Sequence, residues 1–275
     1  TGLKQHTGNW VGKTVGNAAG SYTYNNNKYL ITDLPGTYSL CAHSAEEIIA
    51  CRHICLEKPD VTVIVCDASC LERNLNLVLQ ITEITSKAVL CVNMMDEAEK
   101  KNIKTDITKL SQQLGIPVAA TSARSKKGLD KLMQAIESVA LSKESNDITL
   151  VYTSRIENAI SQLLPLTEKI ETDSRTKRFI CLKLLQGDSD TVDSLCKKHG
   201  TDDNYLKALI SAADRLTVNN FTDEIISCIF ITAEGIAAEG VKRSANKKQV
   251  RDRKIDRILT GKLTGIPIML LMLFI

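Results

Sequence analysis

Ala88-Val89-Leu90-Cys91-Val92-Asn93-Met94-Met95-Asp96 decides how this chain is read: an unbroken apolar run, then a turn with an amide and a carboxylate three residues apart. A continuous apolar run bounded by polar turn residues fits a strand buried on both faces, as in a parallel sheet covered by helices. Ligands of such sheets bind outside the carboxyl ends of the strands, which is where Asn93, Met94, Met95 and Asp96 fall. The N-x-x-D spacing suits guanine. A carboxylate at Asp96 can accept hydrogen bonds from both the ring N–H and the exocyclic amine, a pair that adenine does not present. A buried polar mismatch is costly, so the arrangement would select guanine over adenine.

Outward from that stretch, strand-like runs recur at 28–32, 61–66 and 116–120, and amphipathic stretches lie between them. Helices are predicted from the box Ser44-Ala45-Glu46-Glu47 to near Pro59, over 71–85 and over 127–139. This alternation predicts a parallel α/β sheet. Two more motifs come after strands. Asp33-Leu34-Pro35-Gly36 puts a carboxylate where it could hold Mg²⁺ through water, and a glycine that lets a backbone N–H approach a terminal phosphate. Thr121-Ser122-Ala123 puts a small residue and its backbone N–H where they could face a guanine carbonyl. Each motif is weak alone, since D-L-P-G also makes a turn and S-A is common. Their order, each after a strand, is what points to a nucleotide.

Val11-Gly12-Lys13-Thr14 imitates the end of a phosphate-binding loop, G-x-x-x-x-G-K-[ST]. The first glycine of that pattern would fall on Thr7, with no strand before it and no long helix after it, so the stretch is rejected in that role.

From about residue 147 the strand signal fades. Ser154-Arg155-Ile156-Glu157 reads as a second capping box, and apolar positions recur at helical spacing near 156–164, 179–185, 205–213 and 222–237. A mostly helical second domain is predicted, consistent with a length of 275 residues. The net charge of +3 does not call for a nucleic-acid partner. Nine cysteines, an odd number without C-x-x-C pairs, read as reduced thiols. The Cys51-Arg52-His53-Ile54-Cys55 spacing is read as small helix residues rather than a metal site, because no second ligand pair accompanies it. Near the end, Lys242, Arg243, Lys247, Lys248, Arg251, Arg253, Lys254 and Arg257 precede an apolar run at 266–275. That run is shorter than the roughly 20 residues a membrane span needs, and it reads as the first half of such a span, with the basic stretch holding its approach on the cytoplasmic side. The opening Thr1-Gly2-Leu3-Lys4 has neither an initiator Met nor a signal pattern, so the natural start is expected upstream.

These residues resemble the ferrous-iron transport protein B family over nearly the whole chain. The resemblance is carried by Thr1-Gly2 with Gln5-His6 and Gly8-Asn9-Trp10, by 33–40, by Asp67-Ala68-Ser69 with 71–75, by 93–98, by 255–259 and by Gly265-Ile266-Pro267. It implies an α/β fold: a P-loop-type GTPase sheet lacking its first strand and phosphate loop, followed by an all-helical domain and a truncated membrane helix. The implied domains are a GTPase domain at 1–146, a helical regulatory domain at 147–240, and a basic juxtamembrane helix with the start of a membrane helix at 241–275. In that alignment Gly12, Lys13, Thr14 and Val15 fall on the first switch, and Thr14 joins Asp33 as a Mg²⁺ ligand. Met94 stands where many GTPases carry lysine, and Val11 replaces a proline.

The resemblance further implies binding of GTP and GDP with Mg²⁺, and slow hydrolysis coupled to Fe²⁺ movement through a downstream membrane domain of the same protein. The location implied is the bacterial inner (plasma) membrane, with this region on its cytoplasmic side. Thr37 stands where many small GTPases have a water-positioning glutamine, so unassisted turnover would be about 10⁻⁴ to 10⁻³ s⁻¹; no catalytic residue is assigned. The family's phosphate loop falls upstream of Thr1. A chain starting at Thr1 would therefore bind GTP poorly and would leave a gap in its sheet with exposed apolar surface. The asparagine expected to hold K⁺ also falls upstream, which leaves K⁺ open, as is homo-oligomerisation.

Two other readings compete with this one. A soluble RNA-associated assembly GTPase would need a G-x-x-G RNA module and a polar ending, and the chain shows neither. A thiol-rich metal or redox-sensing module would rest on the scattered cysteines alone.

Overall fold

The structure, a computed structural model, describes residues 18–37, 45–142, 150–216 and 221–243. The first motif candidates at 12–15, the start of the first predicted capping box and the apolar run at 266–275 lie outside these residues. Among the described residues no helix is long and apolar enough to cross a membrane.

The predicted parallel sheet forms around β4 (Ala88–Asn93), with β3 (Thr62–Asp67) on one side and β6 (Val118–Ala120) on the other. Residues 88–92 of β4 are all buried, as a central parallel strand requires. The register pairs Asp67 with Asn93 and Val92 with Ala120, so the strands end on one rim. β6 is shorter than the predicted 116–120: Pro117 has no N–H to give a ladder and contributes only its carbonyl, which accepts from the Leu90 N–H at 2.9 Å.

A separate two-stranded antiparallel sheet precedes it, made of β1 (Ala18–Tyr24) and β2 (Asn27–Asp33). Its turn is Asn25-Asn26, both at positive φ (47° and 62°), a conformation that asparagine tolerates in two-residue hairpins. Among the described residues no ladder joins this hairpin to the three-stranded sheet. Val65 on β3 and Leu30 on β2 are 64% and 79% exposed.

α1 (Ala45–Arg52) runs into a wider helical turn at His53–Glu57 and stops at Lys58, whose φ of +44° ends the helix before Pro59. α2 (Leu71–Ile84) matches the predicted 71–85. The sequence reading passed over α3 (Met95–Lys100), the short strand β5 (Ile103–Thr105) and α4 (Ile107–Leu114). α5 (Leu129–Leu141) starts two residues later than predicted.

The second half is helical as predicted, through α6 (Ser154–Leu163), α7 (Ser174–Leu185), α8 (Ser189–Lys198), α9 (Asp203–Leu216) and α10 (Phe221–Gly240). The predicted cap of α6 is corrected by one residue: Thr153, not Ser154, is the N-cap, its side chain accepting from the Ile156 N–H. Glu157 still reaches back, but it accepts from the Tyr152 N–H at 3.0 Å. The polar run at 186–190 leads into α8, with Asp188 as its cap.

The two halves share one hydrophobic core. α10 packs along α2 and α4, then turns into β7 (Val241–Arg243), which pairs antiparallel with β5. At the other end of α2, Glu83 accepts from the Leu150 N–H at 2.9 Å. Arg178 donates to the Leu150 carbonyl at 3.0 Å and grips Glu157 with two bonds of 2.7 and 2.8 Å. The Arg178 hydrogen bonds hold the Glu157 carboxyl below its usual range, whereas burial pushes Glu83 up.

Candidate functional site

The rim above β4 and β6 is one bonded unit. Asn93, the last residue of β4, turns its Oδ1 across to the loop after β6, where it accepts from the Thr121 hydroxyl at 3.1 Å and from the Ala123 N–H at 3.0 Å. The connection is returned: the Met95 N–H donates to the Thr121 carbonyl at 3.2 Å and the Asp96 N–H to the Ser122 hydroxyl at 3.2 Å. Parallel register brings the two strand ends side by side, and the side chains of N-x-x-D and T-S-A then brace each other.

Local backbone geometry sets the loop. Met94 sits at φ +61°, capping α3 and half exposed, so its side chain is displayed rather than packed. Thr121 and Ser122 are buried. Beneath them the Cys91 thiol touches the Thr121 hydroxyl at 3.2 Å, and burial raises its pKa. Among the described residues no hydrogen bond or ion pair takes the half-buried Asp96 carboxylate. Its acceptor oxygens remain for a ligand with paired donors.

Sequence reading did not single out Lys127 and Gly128, yet they lock the second loop. Ser122 and Lys127 exchange backbone hydrogen bonds of 3.0 and 3.3 Å. Gly128 comes next at φ +77°, where a Cβ would lie 2.1 Å from the Ala120 carbonyl oxygen. The signal was a glycine directly before an amphipathic helix, where only a residue without Cβ fits.

Asp33, Leu34, Pro35 and Gly36 are placed differently. They come at and after the end of β2, so they hang from the hairpin and not from the three-stranded sheet. Leu34 packs on the core, while Asp33 and Gly36 are exposed. An exposed carboxylate at a strand end has the donor chemistry of a Mg²⁺ ligand through water, and the open space around the Gly36 Cα leaves its backbone approachable. The hairpin leans on α5 through Asn27, which donates to Glu137 at 2.8 Å. Gly12, Lys13, Thr14 and Val15 lie outside the described residues. The structure thus joins the candidates at 93–96 and 121–123 and leaves Asp33–Gly36 on a separate element.

A parallel sheet with these rim loops in a mixed α/β half, followed by a helical domain, defines a GTPase-like fold with an appended helical module. The family description "Ferrous iron transport protein B" matches residues 1–136, and "FeoB cytosolic helical domain" matches residues 152–242. The chain belongs to the ferrous iron transport protein B family. It is 35% identical, over its whole length and 34% of the relative's, to an Fe(2+) transport protein A/Fe(2+) transporter FeoB fusion protein of Porphyromonas gingivalis. It therefore spans about a third of the length of that relative. Among solved structures, an S. thermophilus NFeoB variant bound to GDP is similar at 28% identity and a TM-score of 0.71, covering 88% of this chain and 92% of that one. The cytosolic domain of T. maritima FeoB in GMPPNP form is similar at 28% identity and a TM-score of 0.69, covering 88% and 91%.

Proposed function

We propose that this chain is the guanine-nucleotide-binding part of a ferrous-iron membrane transporter, with a GTPase domain at 1–146, a helical regulatory domain at 147–240 and a juxtamembrane part at 241–275. In this reading Asp96 accepts from the guanine ring N–H and amine. Asn93 holds the two loops together, and Ser122 and Ala123 border the base. Asp33 and Thr14 hold Mg²⁺, which offsets the charge of the phosphates, and Gly36 meets the terminal phosphate. Nucleotide state then acts through the helical domain on the protein's own membrane domain, which moves Fe²⁺ across the bacterial inner membrane from the cytoplasmic face of which this part projects.

The observation that supports this reading best is the Asn93 side chain bonded to the loop that carries Ser122 and Ala123, with the Asp96 carboxylate left open beside it. The test is Asp96→Asn in the intact protein. An amide offers one acceptor where the carboxylate offers two, so affinity for a fluorescent GTP analogue should fall by about 10² to 10⁴, with the xanthine analogue gaining relative to it. Unaltered preference for guanine in that titration sinks the assignment.

A further inference from the structure

Two buried thiols meet where the α/β half rests on the helical half. Cys51 near the end of α1 and Cys55 in the wider turn at His53–Glu57 are 3% and 4% exposed. A spacing of four residues puts both side chains on one side of a helix. The contact between them is direct, the Cys55 thiol being hydrogen-bonded to the Cys51 sulfur. Four residues of helix rise about 6 Å, inside the roughly 4.4–6.8 Å between α-carbons that a disulfide spans. Joining the two sulfurs therefore asks only for a local adjustment.

The surroundings divide the roles. Lys183 of α7 is buried, its ammonium paired with the Asp188 carboxylate at 3.2 Å. The hydrogen bond from Cys55, helped by the positive charges of Lys183 and Arg52, holds the Cys51 thiol below its ordinary range, against burial and Asp188. Cys55 is pushed up by the same hydrogen bond, by burial and by the Cys51 sulfur, against Lys183 and Lys58. Cys51 thus carries the anion and Cys55 the shared proton, the arrangement of an attacking sulfur beside its resolving partner. Burial instead pushes Cys66 and Cys181 up to about 12. Among the described residues no third ligand makes the pair a metal site.

We propose that Cys51 and Cys55 form a peroxide-reactive dithiol that closes into a disulfide within the helix, with Cys51 as the attacking sulfur. The Cys51 thiolate attacks one oxygen of a hydroperoxide, the O–O bond breaks, and the departing oxygen takes up a proton. The Cys55 sulfur then attacks the Cys51 sulfenic acid and loses its proton, and the hydroxyl on Cys51 leaves as water. Two thiols and one hydrogen peroxide give one disulfide and two waters; the peroxide gains the two electrons that the sulfur pair loses. The bond would staple the turn that packs on α8 and that Lys58 holds to the Asp173 cap of α7 at 3.2 Å. This chemistry does not depend on what the rim loops bind.

The test uses the full chain, reduced, treated with hydrogen peroxide, blocked with N-ethylmaleimide, and cut with trypsin and a glutamate-specific protease. Cleavage after Glu47, Arg52 and Glu57 leaves each thiol alone in its peptide. A disulfide-linked pair of peptides 48–52 and 53–57, lost on adding dithiothreitol, should accumulate at least about tenfold faster than Cys66 or Cys181 is oxidised. In Cys55→Ser, dimedone should trap a sulfenic acid at Cys51, whereas in Cys51→Ser the Cys55 thiol should stay unlabelled. Absence of the linked pair in the parent chain, or its formation no faster than oxidation of Cys66 and Cys181, overturns the proposal and leaves both thiols as packing. Dimedone labelling of Cys55 in Cys51→Ser as fast as that of Cys51 in Cys55→Ser overturns the choice of attacking sulfur.

Discussion

Two neighbouring parts of the α/β half are built to opposite standards. The loops after β4 and β6 hang from adjacent parallel strands and are tied by four hydrogen bonds through Asn93, Met95 and Asp96. The loop after β2 hangs from a two-stranded hairpin that no ladder joins to the rest among the described residues. Three or more strands with a covered face are ordinarily needed for independent stability, so the hairpin depends on what it leans on. The base-binding half of the proposed site is preorganised by its own fold, whereas the Mg²⁺ and phosphate half takes its position from neighbours.

The largest expected effect breaks the rigid part. Gly128→Val would force a β-branched residue to φ +77° with its Cβ against the Ala120 carbonyl. The neighbouring atom is backbone, so nothing can rotate away. A loss of about 3 kcal/mol in urea unfolding is expected. Gly187→Ala is the control: its φ is +73° but no atom lies within 4 Å, so only the backbone term, about 1 kcal/mol, should appear. Equal losses at the two positions would mean that contact with β6 does not matter.

The same division governs how much of the molecule was legible in the sequence. Continuous apolar runs announced β3 and β4 to within a residue: β4 is buried along its length and has no polar position to confuse its limits, while β3 is apolar even at Val63 and Val65, which are exposed on one face. The N-x-x-D and T-S-A motifs were legible as chemistry, but their mutual bonding was not, since it depends on the register of strands 28 residues apart. β1 and its Asn25-Asn26 turn went unread: the hairpin is largely exposed, so no apolar alternation marks it. α3 and α4 went unread because they are short and polar on most faces, and in α4 Leu110 and Leu114 are the only fully buried side chains. The outward apolar face of α10, where Ile226, Phe230 and Ile231 are exposed, was invisible as well. A run as apolar as 225–231 reads as core, and only the fold shows that half of it faces outward.

An intermediate effect tests the bracing itself. Asn93→Ala removes the acceptor used by the buried Thr121 hydroxyl and by the Ala123 N–H. Water can reach exposed Ala123, but Thr121 is left with the Cys91 sulfur alone. Stability should drop by about 1 to 2 kcal/mol, and amide hydrogen exchange should accelerate at 121–123 more than in β4. Exchange rising uniformly across the sheet would show that Asn93 supports the whole fold rather than the junction of two loops.

The smallest effect sharpens the contrast from the other side. Asn27→Ala removes the hydrogen bond from the hairpin to Glu137 on α5, and both its donor and its surroundings are exposed to water. Such a surface change should alter global stability by no more than about 0.5 kcal/mol. The hairpin amides, however, have few other attachments, so their exchange should quicken while those of β4 and α2 stay as they were. A fall in the urea midpoint as large as that of Asn93→Ala would show the hairpin to be part of the cooperative core. The Asp33 loop would then be as firmly placed as the loops it is contrasted with.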